Sequence, residues 1–295
     1  MNGATLRLGA GAAWVPLAVA GAAIVGTYAP VIAEMADEWA RFPNLSHGFA
    51  IPAIAAYLVW ARRENLLSAP TSSVLAGLPV LALAILMLLT GSLGGESFIA
   101  RLSLPVALLG ATLFLGGAAV TRQLWMGIAY LLFMIPLPFV MLKSLTYQSR
   151  LFDAAVTAEI VQWLGVPVLR DGVMLYLANI TLEVADECSS IPAMAALVAL
   201  GAAYAQMNPR PTWIRVALVV SAIPLGLMSN IVRIVLTAVS AYYFGRIALD
   251  NVIHKFNGTT VFLLTVFLLI ALDAGLLAIA RRIGRAPRAT AGREA

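Results

Sequence analysis

The stretch "VFLLTVFLLIALDAGLLAIA", Val261 to Ala280, carries a single charge, Asp273, in twenty residues. A helix of about that length crosses the ~30 Å hydrocarbon core of a bilayer. Similar runs recur along all 295 residues, which are 61% hydrophobic and 11% charged, with a mean hydropathy of +0.92. A soluble domain carries about 25% charged residues, so the apolar runs cannot all be the core of a globular fold. They are continuous, whereas the strands of a membrane barrel alternate over roughly ten residues. The sequence therefore predicts an all-α polytopic membrane protein.

Eight spans are expected, at about 12–33, 48–61, 74–93, 102–120, 124–142, 190–207, 214–243 and 257–280. The first run is too long for the apolar region of a cleaved signal peptide and reads as a span. Residues 284–295 are short, basic and rich in Ala and Gly, and read as a disordered cytoplasmic tail. Orientation follows from the cations. With the N-terminus inside, eleven of the 19 Lys and Arg fall on inner segments and seven on outer ones, leaving Arg233 within a span. The pairs Arg62–Arg63 and Arg281–Arg282 are the strongest inner anchors. Both termini are then cytoplasmic. The net charge of +5 belongs to this asymmetry and to lipid contact, and points to no nucleic-acid partner.

The outer segment of about 143–188 is the longest outside the spans. Its first half, "KSLTYQSRLFDAAVTAEIVQWLG", mixes polar and apolar residues at helical spacing and predicts a helix lying in the interface. Its second half is rich in β-branched and aromatic residues around Asp171-Gly172, a turn signal, and predicts a short β-hairpin. Together they deliver Cys188, the single cysteine, to the start of the next span.

A lone membrane cysteine is most often a small buried apolar residue. Here Ser189, Ser190 and Pro192 read as the start of a helix. Its positive end favours negative charge on the sulfur, while Glu183, Asp186 and Glu187 oppose it. A cation from elsewhere is therefore required, and Arg233 is the candidate. A charge inside a span is costly and marks function. Gly226, Asn230, Arg233, Thr237 and Ser240 recur at steps of three and four, so they share one helix face. The bland alternative is an arginine snorkelling to the headgroups. His254 precedes the last span and His47 the second, both on the outer side with Cys188. Histidine is the usual proton carrier near neutral pH. No ligand spacing supports a metal, no cofactor motif occurs, and Asp273 lies far from this cluster. Two other readings remain open: a transporter with an Arg-lined path along the Asn230–Arg233–Thr237 stripe, and another membrane enzyme such as an acyltransferase.

Four short motifs in register, Cys188-Ser189 opening a helix, Asn230-x-x-Arg233-Ile234, His254 before the last span and Ser46-His47-Gly48 after the first, together resemble the exosortase/archaeosortase family. The resemblance covers nearly the whole chain. It implies a bacterial cytoplasmic-membrane protease and transpeptidase that faces outward. Its substrates would then be exported proteins ending in a short motif such as Pro-Glu-Pro, a membrane helix and a basic tail, in an exopolysaccharide-associated sorting system. It further implies Cys188 as nucleophile, Arg233 as stabiliser of the oxyanion or thiolate, and His254 as general acid/base. Asn230, Ser189, His47 and Glu187 would support them. Water, an amine or a glycan would be the acceptor, with no cofactor. The commoner family pattern is Cys-Ser-Gly. Cys188-Ser189-Ser190 departs from it, which leaves the three principal residues in place and the subtype open.

Overall fold

The computed structural model describes residues 14–208, 210–245, 247 and 251–283, apart from the side chains of Trp14, Pro43, Asn44, Phe139, Glu187 and residues 251–257. The expected tail at 284–295 lies outside the described residues. The fold is all-α and polytopic, with one small sheet. Among the described residues, five helices are long and apolar enough to cross a membrane, and six if one bent pair is counted as a span. The chain divides into two compact units, up to Pro138 and from Phe139.

In the first unit, α1 (Trp14–Thr27) and α2 (Ala29–Arg41) meet at a 62° bend. Pro30, in the first turn of α2, has no N–H to continue the α1 ladder. Tyr28 at the bend is buried and bonds Ser103 Oγ at 2.8 Å. α2 buries Val31, Met35 and Trp39 on one face. On the same side of the helix Glu38 meets Arg101 in two hydrogen bonds, 2.6 and 2.9 Å. The turn Pro43–Phe49 carries His47, and its Gly48 leaves room only for the Trp39 ring. α3 (Ala50–Trp60) and the short α4 (Arg63–Leu67) follow. α5 (Gly77–Gly94) and α6 (Ser97–Tyr130) pack closely, with no room for a side chain where Gly77 faces Phe114 and Gly91 faces Ala100, and are joined through Gly95 at φ +72°. The expected span at about 102–120 falls wholly on α6 and that at about 124–142 partly, and α6 breaks at Gly117 (φ +79°). The break frees carbonyls at membrane depth, and they must be satisfied within the protein. Ser72 N–H donates to the Gly116 carbonyl (3.3 Å) and Val74 N–H to that of Phe114 (3.2 Å).

The second unit begins with α7 (Phe139–Trp163), the segment expected as an interfacial helix. The expected hairpin is present and gains a third strand: β1 (Val168–Asp171), β2 (Met174–Leu177) and β3 (Thr181–Glu183) form an antiparallel meander. Asp171 pairs with Met174, so the tight turn is Gly172–Val173. Gly172 takes the positive φ (+60°) that such a turn places on its first central residue. Leu175 and Leu177 face inward and Tyr176 outward, as strand alternation requires. Cys188 ends a short turn, and α8 (Ser190–Met207), α9 (Thr212–Phe244) and α10 (Asn251–Arg282) complete the unit.

Length decides how these helices use one another. α8 has 18 residues and α9 has 33, which is about 27 Å against about 50 Å. The two run side by side, closest where Gly226 faces Met194 with no room for a side chain. α9 thus continues well past the N-terminus of α8. Its extension buries Ile231, Ile234, Val235 and Ala238 against Ala154, Ala158 and Val161 of α7 and Val168, Leu175 and Leu177 of the sheet. Asn179 ties the sheet to the end of α9, donating to the Tyr242 carbonyl at 2.8 Å, one of the acceptors a helix C-terminus leaves unmet.

At the opposite end of the bundle, Asp273 of α10 is buried and receives Arg210 Nε (3.0 Å), Arg210 Nη2 (2.8 Å) and Tyr204 O–H (2.9 Å). The intramembrane acid is thereby a joint between α10 and the α8–α9 connection. Removing the partner strands a buried charge. Arg210→Ala should cost about 2–3 kcal/mol, less than the roughly 3–5 kcal/mol of a fully buried pair because Arg210 keeps some solvent. Thermal unfolding in detergent checks this, and an unchanged midpoint would remove the joint from the account.

Candidate active site

Val184, buried after β3, donates its N–H to the Val173 carbonyl (3.0 Å) and fixes where the strand ends. The chain then makes a tight turn, Asp186–Cys188. Cys188 N–H donates to the Ala185 carbonyl (2.9 Å) and Ser189 N–H to that of Asp186 (3.2 Å). Ser189 is extended, and α8 starts at Ser190 with Pro192 in its first turn, as expected. The helix start carries no cap from its own chain neighbourhood: Ser189 occupies the N-cap position and makes no capping bond. The cap comes from α7.

Asp153 of α7 supplies it. This residue is 0% exposed. Its carboxylate accepts from Ser190 N–H (3.0 Å), Ser190 Oγ (2.5 Å), Ser149 Oγ (3.3 Å) and Asn230 Nδ2 (3.1 Å). A buried carboxylate is tolerable only when its oxygens are satisfied in this way. Burial pushes the Asp153 carboxyl above the ordinary carboxylate value, and the hydrogen bonds pull against that rise. One turn earlier, Arg150 reaches the other side of the cysteine. Its side chain, 11% exposed, donates to Glu183 Oε1 (2.8 Å), to Asp186 Oδ1 (2.5 Å) and to the Val184 carbonyl. Two of the acids that crowd the thiol in the sequence are therefore held by Arg150. The side chain of Glu187 lies outside the described residues.

α9 completes the site. Asn230, 2% exposed, also donates through Nδ2 to the Cys188 carbonyl at 2.6 Å. One turn further on, Arg233 Nη2 donates to Cys188 Sγ at 3.2 Å. Thr237 bonds the Arg233 carbonyl (2.9 Å). The polar stripe predicted on this helix is thus directed at the cysteine turn, and its neighbours Ile231, Ile234 and Val235 pack on α7 and the sheet. α10 passes beside the guanidinium, where a Cβ on Gly258 would stand 3.6 Å from Arg233 Nε. His254 lies in α10 one helical turn before Gly258, and its side chain is outside the described residues. Ser189 is buried on the turn itself, and its Oγ has no hydrogen-bond partner among the described residues. His47 belongs to the first unit.

The chemistry open to this arrangement is narrow. The backbone N–H groups of residues 188, 189 and 190 all donate already. An oxyanion forming next to the sulfur would find the Arg233 guanidinium as its donor rather than a backbone pair. No group of three or more metal-binding side chains occurs among the described residues.

Neither Arg150 nor Asp153 belongs to the motifs read from the sequence. A signal for Asp153 existed. Thr146, Ser149, Asp153 and Thr157 follow one another at steps of three and four, the same spacing that marked Arg233. Thr146, Asp153 and Thr157 are buried.

The raised Asp153 carboxyl has a definite consequence. In the folded state its protonated form is favoured beyond what the ordinary value of 3.8 gives. That contribution to stability is complete below this value and is lost as pH rises through the folded-state value. Wild-type stability relative to Asp153→Asn, which does not titrate, should therefore decline between about pH 4 and the folded-state value. Thermal unfolding of both proteins across that range measures the difference, and parallel curves would contradict it.

A family model described as transmembrane exosortase (Exosortase_EpsH) matches residues 39–271. No curated protein and no solved structure matches the chain.

Proposed function

The chain belongs to the exosortase family, matched from Trp39 to Ala271, and from that premise we propose that it is a membrane cysteine protease and transpeptidase that removes C-terminal sorting signals from exported proteins. The family is generally a cysteine-type transpeptidase acting on exported proteins with such signals. The observation that carries the reading to this chain is the 3.2 Å contact between Arg233 Nη2 and Cys188 Sγ.

In this reading Cys188 attacks the scissile carbonyl and Arg233 takes the negative charge that develops on its oxygen. His254 protonates the leaving amine. The resulting thioester is resolved by water, an amine or a glycan. Asn230 holds the backbone of the nucleophile. Ser189, His47 and Glu187 are the remaining supporting candidates. The thiol stands at the N-terminus of α8, where the longer α9 carries the α7–sheet assembly beyond it. We place this level at the outer face of the cytoplasmic membrane, with both termini inside. There a substrate whose own helix lies in the bilayer presents the peptide just outside that helix.

The test is co-expression with a tagged protein ending in a motif, a membrane helix and a basic tail. The wild type should shorten it and Cys188→Ala should not. Loss of one oxyanion donor costs about 10²–10³ in rate, and Arg233→Ala should fall in that range. Lysine lacks the planar fork and should restore little. Trimming by a folded Cys188→Ala variant sinks the reading.

A further inference from the structure

Arg150 and Asp153 stand three residues apart on α7, so their side chains leave the same face. They take opposite charges to opposite sides of one residue. Arg150 binds Glu183, Val184 and Asp186 ahead of Cys188, and Asp153 binds Ser190 behind it. Asp153 Oδ2 is also shared with Asn230 Nδ2, the group that holds the Cys188 carbonyl. The sulfur is then met by Arg233, one turn along from Asn230 on α9.

We propose that α7 is a positioning clamp for the thiol, with Asp153 as the residue that keeps Cys188 in register with Arg233. Its consequence for catalysis rests on the reading of Cys188 as nucleophile. Asp153 touches neither substrate nor sulfur in this scheme and acts through Asn230 and the α8 start. Its carboxylate is suited to the task because four donors converge on it and it donates nothing. An amide in its place brings an NH2 group to a point where donors already meet. It then loses the bond to Ser190 Oγ or to Asn230, and the Cys188 carbonyl is released. The arginine contact is kept only while the carbonyl and the sulfur of Cys188 are both held.

Direct electrostatics predicts the reverse. Deleting a nearby negative charge would make the sulfur more anionic and faster to react. The sign of the effect therefore separates positioning from simple charge.

Cys188 is the only cysteine in the chain, so alkylation by iodoacetamide of the full-length protein in detergent micelles reads its environment directly, with no substrate needed. Asp153→Asn should slow the reaction about tenfold, a coupling of the size found between contacting residues. In an Arg233→Gln background the same change should alter the rate less than about twofold, because the contact it protects is already gone. Ser190→Ala removes one hydroxyl and should slow the wild-type reaction about threefold. It decides the matter if the Asp153 variant does not fold. Rates equal to or above wild type in these variants overturn the proposal. So does an equal slowing with and without Arg233, which marks general loosening. The nucleophile reading fails separately, through retained trimming by Cys188→Ala, and leaves the alkylation result standing.

Discussion

Asp153 has no exposed surface, and a carboxylate cut off from water must find its donors within the protein. Those it finds come from three elements: Ser149 on α7, the Ser190 backbone and hydroxyl on α8, and Asn230 on α9. Meeting that requirement draws the two transmembrane helices and α7 together at one level and fixes the start of α8. The cysteine turn is built outward from this point. Asn230 passes the constraint to the Cys188 carbonyl, and Arg233, on the same helix, passes it to the sulfur.

The acidic surroundings of the cysteine are also changed by this arrangement. Along the chain they look hostile to a nucleophilic sulfur. In three dimensions Arg150 gathers Glu183 and Asp186 and faces them away toward solvent, where their side chains are 58% and 72% exposed. The acids serve to hold the strand end down on α7. The sulfur faces the other cation, Arg233, across the turn. Two arginines thus divide the work, one neutralising the approach to the cysteine and the other meeting the thiol.

Much of this was legible in the residues. The apolar runs announced a helical membrane protein because only hydrogen-bonded helices satisfy their own backbone in lipid. Asp171-Gly172 announced a turn, and the β-branched and aromatic residues around it a short hairpin. The step-of-three-and-four pattern from Gly226 to Ser240 put Asn230 and Arg233 on one face, and the structure aims that face at Cys188. Other features were hidden by their nature. The kink at Gly117 depends on a loop 45 residues earlier in sequence, Ser72, whose N–H meets the Gly116 carbonyl. The capping of α8 by Asp153 is likewise non-local, 37 residues from Ser190. A reading that looks for a cap among the residues before a helix finds Ser189, which does not bond. Asp153 sits in a helix whose mixed composition predicts an interfacial position, and that composition alone does not mark which of its polar residues are buried.

Every catalytic role proposed for the site requires that the sulfur beside Arg233 form the covalent bond with substrate. The direct measurement is mass spectrometry of Cys188 peptides from cells that overproduce both the protein and a motif–helix–basic-tail substrate, with and without hydroxylamine. A substrate fragment attached to Cys188 as a hydroxylamine-labile thioester, ending at the cleavage point, is the expected product. Substrate cleaved in full while Cys188 is recovered only as the unmodified thiol, under conditions that trap other thioesters, would contradict a covalent role for Cys188.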